Sequence, residues 1–506
     1  MADSRTKNSL RNLVYGVANK IVTLLLPFAT RTIILYLLGA SYLGIGTLFS
    51  SVLSFLSLAE LGLGSAIVYS MYKPIAENDT DTICALLKYY KRIYRVIGIV
   101  ILLLGTIVVP AVPLLIKGEM PSGIDAYILY YIYLLNSVIS YFFAGYRQSI
   151  LSAHQRLDIT NKISIVLNLI IQVLQIVLLY TTRSMYAYAI APLCGTIGTN
   201  FANYLVTRKK YPDICCKGEI SDDLKKGIKK RISGLFGTKL NSTVVHSADI
   251  VVVSAFLGLT ATAQYGNYYY IMNAVCGFIM IIYSSVTASV GNKLVTDSIE
   301  ENYSLFKKMS FFNAWIVAVG CTCFVCLYEP FMELWVGKDY QLGIGFSILM
   351  TIYFFVFDIQ RTILTFKDAA GLWYEDRMRP YVSMVVNVVS NLVLVQIIGI
   401  YGVVLSSVVA FLISVPWANR VLFRCLFKKS PAINLLAMGK YAVVTAISCA
   451  ASYGLCSLYM GGIVGLAVRL VTCVAVSNIV FFGVFIKSEE LVFLKQLIKK
   501  RLNLKK

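Results

Sequence analysis

Runs of about 20 apolar residues recur along the whole of this 506-residue chain, and that recurrence constrains its fold more than any other feature. As a helix, each run is long enough to cross a hydrocarbon core roughly 30 Å thick. The runs are continuous and do not alternate polar with apolar residues, so they do not read as barrel strands. Composition agrees: 58% of residues are hydrophobic and only 14% are charged, against roughly 25% charged in soluble domains. The fold class is therefore an all-α integral membrane protein. Fourteen spans are expected, at about 12–38, 42–72, 96–116, 124–146, 163–182, 185–207, 234–257, 264–290, 310–328, 341–360, 380–398, 402–424, 440–459 and 463–486. Several contain Gly, Pro or polar residues, which a membrane helix tolerates where it faces protein or a wet cavity.

Charge sets the expected topology. With the N-terminus inside, the connections that fall on the inner side, together with both ends of the chain, carry 39 of the 46 Lys and Arg residues; the outer connections carry Lys117, Arg183 and Lys338. Such a bias is a strong positive-inside signal, and it puts both termini in the cytoplasm. The net charge of +21 then suits an anionic inner leaflet, and no nucleic-acid partner is expected, since no basic stretch lies on a reading module. Within the basic tail 487–506, Leu491, Phe493, Leu494 and Leu497 are interleaved among the basic residues. Two readings stay open for it: an amphipathic helix on the membrane surface, or a solvated tail. Lys20 and Arg31 interrupt the first apolar run, so a retained segment is expected and not a cleaved signal.

The cysteines are read as small hydrophobes within the spans. Cys323-x-x-Cys326 has metal-like spacing but lacks a second pair or a nearby His in the sequence, so no metal site is expected there. Catalysis is not expected either. The chain has two histidines, His154 and His246, and neither a phosphate-binding Gly-Lys-Thr loop nor a Ser-His-Asp order in outer connections.

An internal repeat is visible at an offset of 219 residues. Lys20 precedes Gly39 by as many residues as Lys239 precedes Gly258. Asn19, Thr23, Pro27 and Thr30 map without gaps onto Thr238, Ser242, His246 and Asp249, steps that trace one helix face. Asn168 and Asn387 keep the same offset, each following an acid, Asp158 or Asp376. Six spans separate the copies, so both cross in the same direction, as in transporters built from parallel repeats. The expected organisation is a six-helix bundle at 1–207, a basic cytoplasmic linker at 208–233, a second six-helix bundle at 234–424, two extra spans within 425–486, and the tail 487–506.

Several motifs carry a family resemblance. Glu60-Leu61-Gly62-Leu63-Gly64 and the preceding Leu38-Gly39 … Tyr42-Leu43-Gly44 turn, echoed by Leu257-Gly258 … Tyr265-Gly266, resemble polysaccharide-biosynthesis membrane proteins. So do Glu329-Pro330 … Leu334-Trp335-Val336-Gly337-Lys338-Asp339-Tyr340 and Ala370-Gly371 … Pro380 … Asn387 … Gly399-Ile400-Tyr401-Gly402. Over nearly the whole chain the resemblance is to Wzx-type flippases of O-antigen, capsule and exopolysaccharide repeat units. Their superfamily also holds multidrug and toxin extruders and lipid II flippases. The resemblance implies two six-helix bundles around a cavity with alternating access. It also implies an undecaprenyl-pyrophosphate-linked oligosaccharide as substrate, and a bacterial plasma-membrane setting. Membrane lipids, a polysaccharide polymerase and glycosyltransferases would be its partners. The last two helices resemble those that cradle the polyprenyl tail in lipid II flippases.

Charges inside spans cost at least about 2.5–3.5 kcal/mol each, so they tend to face a cavity or a partner. Lys20 and Lys239 are candidates to clamp a pyrophosphate, or else to snorkel to the near interface. Arg31 is a candidate either to pass phosphate outward or to pair with Glu60. Asp358 and Arg361 are expected to form a local ion pair, and Arg469 to snorkel. His246 and Asp249, one turn apart, can bind a coupling ion, Na+ or H+, or simply satisfy one another. No other cofactor is expected. The alternatives are a gradient-driven drug or metabolite exporter or a lipid II flippase of the same superfamily. A membrane glycosyltransferase or polymerase is less favoured, because the outer connections are short.

Overall fold

The computed structural model describes residues 2–60, 62–118, 120–458 and 461–493, and among these it is all-helical. The first helices are α1 (Ala2–Leu37), α2 (Ala40–Leu56), α3 (Leu63–Ala76), α4 (Thr80–Val108), α5 (Ala126–Phe142) and α6 (Gln148–Ala153). They are followed by α7 (Leu157–Thr182), α8 (Met185–Lys210), α9 (Asp222–Leu257), α10 (Leu259–Thr296), α11 (Ile299–Val336) and α12 (Ile344–Ile359). The last five are α13 (Arg361–Ala369), α14 (Arg379–Ile398), α15 (Ile400–Leu422), α16 (Pro431–Cys456) and α17 (Gly462–Val484).

Local chemistry starts and stops these helices. Asp79 caps α4 by accepting the Thr82 amide at 2.9 Å, and Asp125 caps α5 through the Tyr127 and Ile128 amides. Ser298 and Glu301 close a reciprocal capping box at the start of α11. The Glu60-to-Gly64 motif marks a break and not a continuous span. A short 3-10 turn covers Ser57–Glu60, and Gly62, at φ 82°, adopts a left-handed conformation that a side chain would resist.

Among the described residues, eleven helical segments are long and apolar enough to cross a membrane, and twelve if the bent pair α5–α6 counts as one span. Each of the fourteen expected spans falls on helix, but two of them fail that test. Residues 42–72 are divided by the break between α2 and α3. In α8 the apolar character is diluted by Pro192, Thr196, Thr199, Asn200 and Asn203. Of the expected amphipathic tail, the start is described: Leu491 is buried and Lys308 lies over the Phe493 ring at 4.1 Å. Its remainder, 494–506, lies outside the described residues.

Contacts divide the chain into two compact units, 1–263 and 264–506. In the first, α1 packs on α7, α7 on α8, α8 on α5 and α5 on α4, while α9 packs on α2 and α3. Span seven, expected to head the second bundle, thus belongs by its contacts to the first unit. In the second unit α11 packs against α12, α16 and α17, and α14 against α15. Phe306, Phe366, Phe423 and Phe427 form an aromatic knot there.

The repeat has physical counterparts. α1 and α9 are both 36 residues long. Each ends at a glycine with positive φ, Gly39 (110°) and Gly258 (91°), and the next helix starts one residue later. The hydroxyls of Thr23 and Ser242 donate back to the carbonyls of Lys20 and Lys239 at 3.1 and 2.9 Å. The two landmark acids are alike as well. Asp158 is bracketed by Arg11 and Arg156, and Asp376 by Lys367 and Arg379, and both carboxylates are buried. The copies differ where α10 runs unbroken through the stretch that, in the first copy, holds the α2–α3 break.

Candidate functional site

In the first unit a cavity of about 620 Å³ lies among α1, α2, α5, α7, α8 and α9. Its walls follow from the helix period. On α7 the residues Ser164, Asn168, Gln172 and Gln175 line the cavity, while Val166, Leu169, Ile170, Val173 and Val177 are exposed on its outer face. Polar groups inward and apolar groups outward is the reverse of a soluble helix, and it suits a helix with lipid on one side and water on the other. On α2 the stripe Thr47, Ser50, Ser51 and Ser54 faces the same space, and α8 adds Thr196, Thr199 and Asn200.

The walls are tied to one another. Gln175 donates to the Tyr188 carbonyl at 3.2 Å, joining α7 to α8. Thr196 and Asn200 donate to Asn136 Oδ1 and Ser140 Oγ, both at 3.2 Å, joining α8 to α5. Gly46 allows the Tyr133 hydroxyl to reach the wall, because a Cβ at that position would stand 2.8 Å from it. Gln172 Oε1 is buried without a hydrogen-bond partner, which leaves an acceptor at the wall.

Arg31 is the one Lys or Arg among the described lining residues, and no Asp or Glu is among them. The guanidinium lies within electrostatic reach of Tyr188, another lining residue. Arg31 stands six residues before the end of α1, or about 9 Å along the axis. Chemically, the cavity offers hydroxyls and amides in quantity and one fixed positive charge.

Of the expected site residues, Arg31 and His246 line this cavity, whereas Lys20, Lys239, Glu60 and Asp249 do not. Lys20 is half-buried and Lys239 exposed. Asp249 is fully buried, one turn beyond His246 on α9. Glu60 is held by tyrosines: Tyr94 donates to Oε1 at 2.8 Å and Tyr141 to Oε2 at 2.6 Å. The second unit has a comparable arrangement, with Tyr268 and Ser347 donating to Glu329 at 2.8 and 2.6 Å. Asp358 and Arg361 form the expected pair, with Nε at 3.0 Å from Oδ1. Sequence reasoning did not single out the serines of α2 or Gln172 and Gln175 of α7. The signal was their helical spacing within otherwise apolar runs. Asn387, the repeat partner of the cavity-lining Asn168, is instead fully buried and donates to Ser407 Oγ at 3.0 Å.

No family model matches the chain, and no curated protein matches it. Solved structures do. The lipid II flippase MurJ in an inward closed conformation aligns with a TM-score of 0.69 at 15% identity, over 93% of this chain and 98% of that one. An inward-facing multidrug resistance MATE family transporter of the MOP superfamily aligns at 0.60 and 16% identity, over 83% and 99%. A MOP superfamily transporter from Pyrococcus furiosus, described as having a binding pocket of reverse polarity, aligns at 0.56 and 16%, over 84% and 97%. At such identities the likeness is one of fold. The chain has the fold of these multi-pass membrane transporters.

Proposed function

We propose that this protein is an alternating-access flippase that carries undecaprenyl-pyrophosphate-linked oligosaccharide repeat units from the inner to the outer leaflet for polysaccharide biosynthesis. The observation that carries the reading is the cavity: a wall of hydroxyls and amides with Arg31 as its cation and no carboxylate among its described lining residues. Sugar hydroxyls are matched by Ser, Thr, Asn and Gln, each of which can donate and accept. A pyrophosphate is matched by a guanidinium, whose planar fork binds phosphate oxygens in pairs. A cationic drug would instead need an acidic wall, so the exporter reading is less well supported. The likeness to MurJ extends over more of this chain than the likeness to the MATE transporter does. Lipid II is therefore the second reading, with the same pyrophosphate headgroup.

In this proposal Lys20 and Lys239, at matching places on α1 and α9, meet the pyrophosphate below the cavity, and Arg31 receives it further outward. His246 faces the cavity with the buried Asp249 one turn away, a place where Na+ or H+ can couple a gradient to transport. The setting is the bacterial plasma membrane with both termini cytoplasmic, next to the glycosyltransferases and polymerase of the pathway. The test is complementation of a flippase-deficient strain, together with headgroup binding to purified protein. Arg31→Gln should abolish export and weaken pyrophosphate binding about ten- to a hundredfold, the equivalent of losing one charge-assisted hydrogen bond of about 1.5–3 kcal/mol. Arg31→Lys should restore part of both. Unchanged binding by Arg31→Gln would remove the cation from the mechanism, and the reading with it.

A further inference from the structure

The second unit gathers cysteines that lie far apart in the sequence. Cys326 of α11, Cys456 at the end of α16 and Cys473 of α17 place their sulfurs within 4.8 Å of one another. All three are buried, at 2%, 2% and 0% exposure. Cys323, one turn before Cys326 and half-buried, packs against the group. The Cys323-x-x-Cys326 spacing, which has no second pair in its own stretch of sequence, thus receives one from two other helices.

We infer that Cys326, Cys456 and Cys473, with Cys323 as the fourth donor, form a binding site for a thiophilic d10 cation, Zn(II) or Cu(I), that pins α16 and α17 to α11. The distance argument is direct. Zn–S bonds of about 2.3 Å in a tetrahedron put sulfurs roughly 3.8 Å apart, and Cys456 Sγ and Cys473 Sγ are 3.9 Å apart. A disulfide would need them near 2.05 Å, so the pair as it stands has the separation of co-ligands. Soft thiolate donors without oxygen ligands select Zn(II) and Cu(I) over Mg(II), Ca(II) or Mn(II). Three of the sulfurs are buried together and Cys323, half-buried, lies beside them; an ion surrounded by thiolates is the arrangement of a structural site and not of one with an open catalytic position. On binding, each S–H bond is replaced by a metal–sulfur bond and its proton passes to water. Cys456 is the last residue of α16.

The experiment uses the full-length protein in detergent, reduced with a phosphine, in a Cys84→Ala background. That change removes a second close thiol pair, Cys84 and Cys215, whose sulfurs are 4.0 Å apart. Cd(II) is titrated as the probe and read by its thiolate charge-transfer band, and the protected cysteines are mapped by alkylation and mass spectrometry. One equivalent should bind and protect Cys326, Cys456 and Cys473. Cys473→Ser should weaken binding at least tenfold, and Cys473→Ala, which keeps an apolar side chain, serves if the serine variant fails to fold. Absence of the band in the parent, an unchanged band in either variant, or a Cys456–Cys473 disulfide that resists the phosphine would each overturn the site.

Discussion

Tyr141 donates its hydroxyl to Glu60 Oε2 at 2.6 Å, across 81 residues of sequence. Tyr94 meets the other oxygen. Together they tie the break between α2 and α3 to α4 and α5, so the acid of the Glu60-to-Gly64 motif acts as an anchor at a bend and lies outside the cavity wall. The tyrosine rings lean on one another, with centroids 4.7 Å apart, which holds both hydroxyls in place.

Removing one donor leaves a carboxylate oxygen unpaired at a cost of about 1–3 kcal/mol. Tyr141→Phe should therefore lower the thermal midpoint of the detergent-solubilised protein while leaving headgroup affinity within about twofold. Tyr94→Phe should do the same, and the double variant should lose less than the sum, because both act on one carboxylate. A midpoint unmoved by Tyr141→Phe would mean that the hydrogen bond does not hold the bend.

Lys20 and Lys239 provide a test of the repeat as a functional device. Each single Lys→Gln variant should cut export severely while protein in the membrane stays constant, and the Lys20→Gln/Lys239→Gln pair should abolish it. Lys→Arg keeps charge but changes geometry and should retain part of the activity. Export at the parental rate in the double variant, measured by surface polysaccharide in a complemented strain, would leave snorkelling as their role.

Two glycines should respond in opposite ways to the same substitution. A Cβ at Gly44 would collide with the Leu259 carbonyl oxygen, where α2 meets the start of α10. Backbone cannot yield there as a flexible side chain would, so Gly44→Ala should cost at least about 1–3 kcal/mol through overpacking and lower the yield of folded protein. At Gly439 on α16 nothing lies within 4 Å of the added Cβ. Gly439→Ala should be neutral or raise the thermal midpoint, since alanine is the better helix former by about 0.8–1 kcal/mol.

The topology has a native reporter. Cys215 is exposed in the connection between α8 and α9, among the basic residues assigned to the cytoplasm. In intact cells an impermeant maleimide should leave Cys215 unlabelled and label cysteines introduced by Gly118→Cys and Asp339→Cys. Labelling of Cys215 before the cells are opened would reverse the orientation.

Much of the molecule was legible in the residues alone. Length and apolarity marked the helices, because burial in lipid is decided run by run and each helix satisfies its own backbone. Gly39 and Gly258 marked equivalent turns, and the pairing of Asp358 with Arg361 was readable because three residues is one helical turn. The repeat was readable as an offset, and its counterparts are the matched turns, back-bonded hydroxyls and bracketed acids of the two copies.

Only the tertiary structure decided which side chains share a site. The tyrosines on Glu60 come from 34 and 81 residues away. The cavity is assembled from six helices, each of which contributes a few polar positions. Cys326 meets Cys456 and Cys473 from two further helices. It also separated the candidates, placing Arg31 and His246 on the cavity wall and leaving Lys20, Lys239, Glu60 and Asp249 off it. The physical reason is that lipid is as apolar as leucine. Hydropathy therefore states that a helix is in the membrane but not which face it turns to a neighbour, and that choice is left to close packing and polar contacts between segments distant in the chain.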